Sequence, residues 1–199
     1  MIKNILSSFL LTLIISHSSV IYSQESNFLN YPDKLVFHGE NLILEGQQGK
    51  AERYLLEYIN PDRDWDTWSN LIAFRNYIGY EPKFILDYHV TTIQKSNPDV
   101  QFAIYEHPEK ENIYILDFLT GTYEGDNPSY EFNLWFIFPL SETETISIQY
   151  ALRSYENPEL DKHTFNSATE FGDYWTENRS MLISELETLS EKVKTYAIK

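Results

Sequence analysis

Three aspartates at alternate positions, Asp62, Asp64 and Asp66, are the first residues whose type and spacing could do chemistry. Carboxylates at positions one, three and five are how a calcium loop begins. That loop also needs glycine at its sixth position and a bidentate glutamate at its twelfth, and here those are Thr67 and Ala73. The three are therefore read as turn and helix-cap aspartates. Four histidines follow the N-terminal segment, His38, His89, His107 and His163, and none stands at a ligand spacing such as HExxH. A zinc site would have to be assembled by tertiary contact alone. There is no GxSxG and no cysteine, so the common acyl-transfer nucleophiles lack their signatures. The phosphate-binding glycine motifs are missing too. Two carboxyls at glycosidase separation need no motif, but among 30 acids such a pair arises by chance. No catalytic residue, metal ligand or cofactor is assigned.

What remains is a set of side chains on one face of a hairpin. From Tyr130 to Tyr155, Tyr130, Phe132, Leu134, Phe136 and Phe138 alternate with other residues, then Ile146, Ile148, Tyr150 and Leu152 do the same after the polar tip Ser141 to Glu144. A period of two puts each set on one face of a pleated strand, so the segment predicts an antiparallel hairpin with one buried face. Aligning the two apolar stripes by pairing Phe138 with Ile146 fixes the register. On the other face Trp135 then meets Gln149, Asn133 meets Ala151 and Glu131 meets Arg153. That mixed aromatic and polar face must be either covered by a helix or open as a ligand groove. Its residues Trp135, Asn133, Glu131, Gln149 and Arg153 are the candidate ligand-binding set, joined by Trp65 as a recognition platform. Trp68 is assigned to the core.

The elements that position this hairpin are read from the rest of the chain. Residues 1–23 carry Lys3, an apolar run from Ile5 to Ile15 and a small residue at Ser23. The run is shorter than the ~20 residues that a membrane span requires, so it reads as a secretory signal cut near Ser23. Residues 24–33 read as a flexible leader and 34–199 as a single domain. The chain carries 30 acids against 15 lysines and arginines, a formal charge of −15. That field repels phosphate backbones, so nucleic acid is excluded as a partner. No later stretch is an integral membrane segment. Stability rests on burial rather than disulfides, with 12 Phe, 15 Tyr and 4 Trp supplying the area.

In order, two or three short strands are expected between Leu35 and Ile59, with a turn at Gly46 to Gly49. A helix is expected from about Thr67 to Tyr77, where Trp68, Leu71, Ile72 and Arg75 recur at helical spacing, and a second from Glu81 to Ser96. Four antiparallel strands follow from Asp99 to Tyr155. Trp175, Leu182, Leu186, Leu189 and Val193 then mark a long helix from about Asp173 to Tyr196. Segregated blocks of strands and helices predict an α+β fold: a twisted antiparallel sheet of about six strands packed by helices.

The segments "EYINPDRDWDTW", "SNPD" and "FAIYEHPEKENIYILDF", with a last strand followed by a C-terminal helix, resemble a class of small exported bacterial proteins of unknown function. These are similar in turn to the PsbP/Mog1-type α/β/α sandwich. The resemblance implies a fold and no activity. The expectation is an exported, non-enzymatic binding or accessory module of the bacterial envelope, periplasmic or secreted, whose partner is an envelope protein or a small ligand. The alternatives are a hydrolase-type enzyme with a site assembled from scattered Asp, Glu, His and Tyr, and a carrier of a small apolar ligand.

Overall fold

The computed structural model describes residues 30–50, 53–122, 128–157, 159–160, 165 and 168–197. The expected signal segment and most of the expected leader lie outside them. Ten elements follow in order: β1 (Lys34–Phe37), β2 (Glu40–Lys50), β3 (Arg53–Ile59), β4 (Asn70–Ile78), α1 (Pro82–Ser96), β5 (Phe102–Glu106), β6 (Tyr114–Thr122), β7 (Ser129–Ser141), β8 (Glu144–Tyr155) and α2 (Ala168–Ala197). The strands form one antiparallel sheet in the order β1-β2-β3-β4-β8-β7-β6-β5. The first four strands make a meander, α1 carries the chain across, and the second four return inward from the far edge. The β7–β8 hairpin therefore ends in the middle of the sheet, beside β4.

Three expectations are corrected. The sheet has eight strands rather than about six, and the segment expected as a helix from Thr67 to Tyr77 is mostly β4. Leu71, Ile72, Ala73 and Phe74 are all buried, because β4 lies between β3 and β8 with both faces covered. A continuous apolar run of this kind suits a central strand as well as a helix. The expected turn at Gly46 to Gly49 is also strand: β2 runs through it to Lys50, with a bulge between Leu44 and Gly46.

One helix packs on each face. α1 begins with Pro82 in its first turn, where the missing N–H costs nothing. It buries Ile85, Leu86, His89 and Ile93 against Leu116, Phe118, Trp135 and Ile137. α2 starts five residues before the expected Asp173, and Phe171, Trp175, Leu182, Leu186, Leu189 and Val193 form its buried stripe. Each such side chain contributes roughly 1.5–3 kcal/mol on burial. The stripe lies on Phe132, Leu134, Phe136, Phe138, Ile146, Ile148, Tyr150 and Leu152, the even-numbered face of the hairpin. The Phe132 ring stacks parallel to Trp175 at 4.7 Å. Polar contacts tie α2 down along its length. Trp175 Nε1 donates to Asp117 Oδ1 at 3.0 Å and Arg179 Nε approaches Asp117 Oδ2 at 2.7 Å. Lys110 Nζ reaches Glu187 at 2.6 Å.

Candidate functional site

The hairpin register places Glu131 opposite Arg153, Asn133 opposite Ala151 and Trp135 opposite Gln149, as the alignment of apolar stripes requires. These odd-numbered residues face away from α2, and their β4 neighbours on the same face are Leu71, Ala73, Arg75 and Tyr77. Beyond β4 the face continues onto Leu55, Glu57 and Ile59 of β3.

Six of these side chains form one continuous polar row. Glu57 Oε1 stands 4.0 Å from Arg75 Nη2, a charge contact rather than a hydrogen bond. Arg75 Nη1 donates to Gln149 Oε1 at 2.8 Å, Gln149 Nε2 to Asn133 Oδ1 at 2.6 Å, and Asn133 Nδ2 to Glu131 Oε1 at 3.0 Å. Arg153 closes the row, with Nε and Nη2 donating to Glu131 Oε2 at 3.1 and 2.7 Å. Guanidinium can only donate and carboxylate can only accept, so both amides are held in a single orientation. All donors from Arg75 to Glu131 point the same way, an arrangement in which each bond polarises the next. The row contains two cations and two anions and is neutral.

Two apolar covers leave this row as the seam between them. On one side lies the α1 cluster, in which the Trp135 ring sits 4.1 Å from His89 and under the Arg75 guanidinium at 4.8 Å. On the other side the segment between β3 and β4 lays Trp68 against Ile59, Leu71, Ala73 and Ala151, with half-buried Trp65 packed beside them. Arg153 stacks over the Trp68 ring at 3.8 Å. That segment is fastened at its base by Asn60, whose Oδ1 accepts from Ser69 N, Ser69 Oγ and Asn70 N at 3.3, 3.1 and 2.7 Å. At its end the Tyr155 hydroxyl donates to Trp68 O at 2.8 Å. Gly46 gives Trp65 room: a Cβ there would lie 3.0 Å from both Trp65 Cζ2 and Glu57 Oε2. The seam is thus narrow, its four charged side chains 13–22% exposed.

Burial sets the electrostatics. It pushes the Glu57 carboxyl up, with Arg75 pulling the other way. Burial also opposes the charge on Arg153, but Glu131 and Tyr155 outweigh it and hold the guanidinium above its usual value. His89, buried and close to Arg75, is pushed down to about 3 and is neutral. Its Nε2 meets the Tyr77 hydroxyl at 2.9 Å. The indole N–H groups of Trp135 and Trp65 are buried with no acceptor among the described residues.

Five of the six predicted site residues thus meet on one face. Glu131, Asn133, Gln149 and Arg153 are hydrogen-bonded in sequence, and Trp135 adjoins them through Arg75. Trp65 lies at the Glu57 end, apart from the hairpin. Glu57, Arg75, Tyr77 and His89 complete the arrangement, and the helix expected from Thr67 to Tyr77 gives Arg75 and Tyr77 no place on this face. Read as a strand, 71, 73, 75 and 77 would have pointed Arg75 at this face. Asp64 is a turn aspartate as expected, accepting from Asp66 N and Thr67 Oγ1. Two other histidines pair with carboxylates of α2. His38 Nδ1 is 3.2 Å from Glu185 Oε1 with Nε2 3.2 Å from the Tyr174 hydroxyl, and His107 Nε2 is 3.3 Å from Glu187. His163 lies outside the described residues. No group of three or more metal-binding side chains occurs among the described residues.

The chain belongs to an uncharacterised protein family, whose model matches residues 29–190. No curated protein and no solved structure matches it.

Proposed function

We propose that the chain is an exported, non-enzymatic binding or accessory module of the bacterial envelope, of the PsbP/Mog1-type sandwich. The observation that carries this reading is the seam. Every charged group on the candidate face is already spent on another protein group, and the histidine beside it is held neutral far below the range useful for acid–base chemistry at neutral pH. Helices on both faces of the sheet fit the layering that the resemblance implies. Export is supported by the pattern of residues 1–23, and no helix among the described residues is long and apolar enough to cross a membrane. The partner on this reading is an envelope protein or a small ligand, met at Trp65 and the edges of the seam around Glu131 and Arg153.

A second reading, a hydrolase-type enzyme, draws on one arrangement: Glu185, His38 and Tyr174 stand in the order carboxylate, imidazole, hydroxyl. Against it, the Tyr174 hydroxyl is pushed up by burial and by Glu40 and Glu185, the reverse of what an activated nucleophile needs. Glu185 also spends its second oxygen on the His38 backbone N–H at 2.8 Å. Purified chain assayed on ester, amide and glycoside substrates separates the two. The module predicts no turnover above that of a His38→Gln variant, and turnover lost in that variant would establish the enzyme.

A further inference from the structure

β5 forms the far edge of the sheet. No strand lies beyond β5 among the described residues, and Ile104 and Tyr105 within it are 43% and 38% exposed. Edge strands are usually blunted by lysine, proline or a bulge, because their unpaired backbone groups template further pairing. The run Phe102 to Glu106 contains no lysine, proline or bulge and has Glu106 as its one charge, and its pairing to β6 is regular. The opposite edge, β1, has only four residues.

Which backbone groups face outward follows from one bond. His107 N donates to Ile113 O at 2.9 Å, in register with the β5–β6 ladder. Backbone groups alternate in direction along a strand, so those of Tyr105 and Ala103 also face β6. Those of Phe102, Ile104 and Glu106 point out of the sheet.

We infer that β5 is a self-association edge, which pairs antiparallel with β5 of a second copy about a two-fold axis at Ile104. This register sets the three outward-facing residues against each other, Ile104 with its own copy and Phe102 with Glu106, so that all their backbone donors and acceptors meet. The side chains agree with it. Exposed Tyr105 falls opposite small Ala103 on one face, and Ile104 covers its copy on the other. A chain with a formal charge of −15 resists self-association in general, but this edge avoids like charges in opposition. The two Glu106 carboxylates are displaced by four residues along the pair, roughly 14 Å at 3.4 Å per residue, beyond the ~8 Å screening length at physiological salt. An isologous contact of this kind closes on itself and does not polymerise. A strand edge alone falls below the roughly 1,000 Å² of a durable interface, so the dimer is concentration-dependent.

The chain has no cysteine, which makes the test direct. In the full processed chain Ile104→Cys places the thiol on the axis, where opposed Cα atoms stand about 5.5 Å apart, within the reach of a disulfide. Mild oxidation is expected to give a covalent dimer at least tenfold faster than Val36→Cys, a control on β1 that is 68% exposed. Sedimentation velocity of the wild type is expected to show a concentration-dependent doubling of mass that Ile104→Lys abolishes, with unchanged circular dichroism. A wild type that stays monomeric at all concentrations, a dimer that survives Ile104→Lys, or equal cross-linking at both positions would overturn the inference. It stands independently of the reading of the seam.

Discussion

Replacing Arg153 by methionine removes the cation that closes the polar row and leaves Glu131 facing the hairpin without its partner. Breaking a fully buried ion pair from one side costs roughly 3–5 kcal/mol, because a desolvated charge is left behind. Here the two side chains keep 13% and 17% of their exposure, so solvent screens part of that and about 2–4 kcal/mol is expected. Loss of the guanidinium from the face of Trp68, 3.8 Å away, adds about 0.5–1 kcal/mol. The total, about 2.5–5 kcal/mol, lowers the melting temperature by roughly 5–20 °C for a chain of this size. The decisive comparison is Glu131→Gln with Arg153→Met. Glutamine keeps an acceptor for Asn133 while removing the stranded charge, so the double variant should regain at least half of the loss. Urea unfolding of the wild type, both single variants and the double variant gives the coupling directly. A loss under about 1 kcal/mol for Arg153→Met, or a double variant equal to the sum of the singles, would refute the reasoning.

Further expectations follow from single residues. His89 has an ordinary value of 6.5 and is pushed down to about 3 in the folded chain, so between these limits the unfolded chain binds the extra proton and stability falls as pH falls. From pH 7.5 to 5 this costs about 2 kcal/mol, and a difference between wild type and His89→Gln in pH-dependent denaturant midpoints isolates it from the carboxyls that also titrate. Asn60→Ala leaves two buried backbone N–H groups without their acceptor and is expected to cost about 2–4 kcal/mol; a thermal melt unchanged within error would contradict the fastening role of Asn60. Gly46→Ala places a Cβ 3.0 Å from Trp65 Cζ2 and displaces that ring, which should appear as a red shift of tryptophan emission together with about 1–2 kcal/mol of destabilisation. If residues 1–23 are a cleaved signal, the intact mass of protein recovered from the envelope fraction begins near Gln24; an intact Met1 in that fraction would count against export.

How far residues alone led to this picture depended on which signal each segment carried. Alternation is unambiguous where one face is buried by a helix and the other is mixed, so the β7–β8 hairpin, its register and the Glu131–Arg153 pair were all legible from 130–155. The spacing of Phe84, Ile85, Tyr88 and Ile93, after Pro82, likewise marked α1, although its buried side takes Leu86 and His89 and leaves Phe84 exposed. β4 was not legible, because a strand covered on both sides loses alternation and Leu71 to Phe74 reads the same at either period. That one ambiguity hid Arg75 and Tyr77, and with them the half of the seam that lies on β3 and β4. Gly46 misled for a different reason: glycine usually marks a turn, whereas here it sits within β2, where a Cβ would crowd Trp65 and Glu57.

The proposed function is that this chain binds and does not transform. Native mass spectrometry of the processed protein, captured by affinity from envelope extract and then rebuilt from purified components, tests it most directly. The expected result is a stoichiometric complex with an envelope component that is bound unchanged and is released when Trp65 is replaced by alanine. A chain that consumes the captured component and sheds a product of altered mass would contradict it.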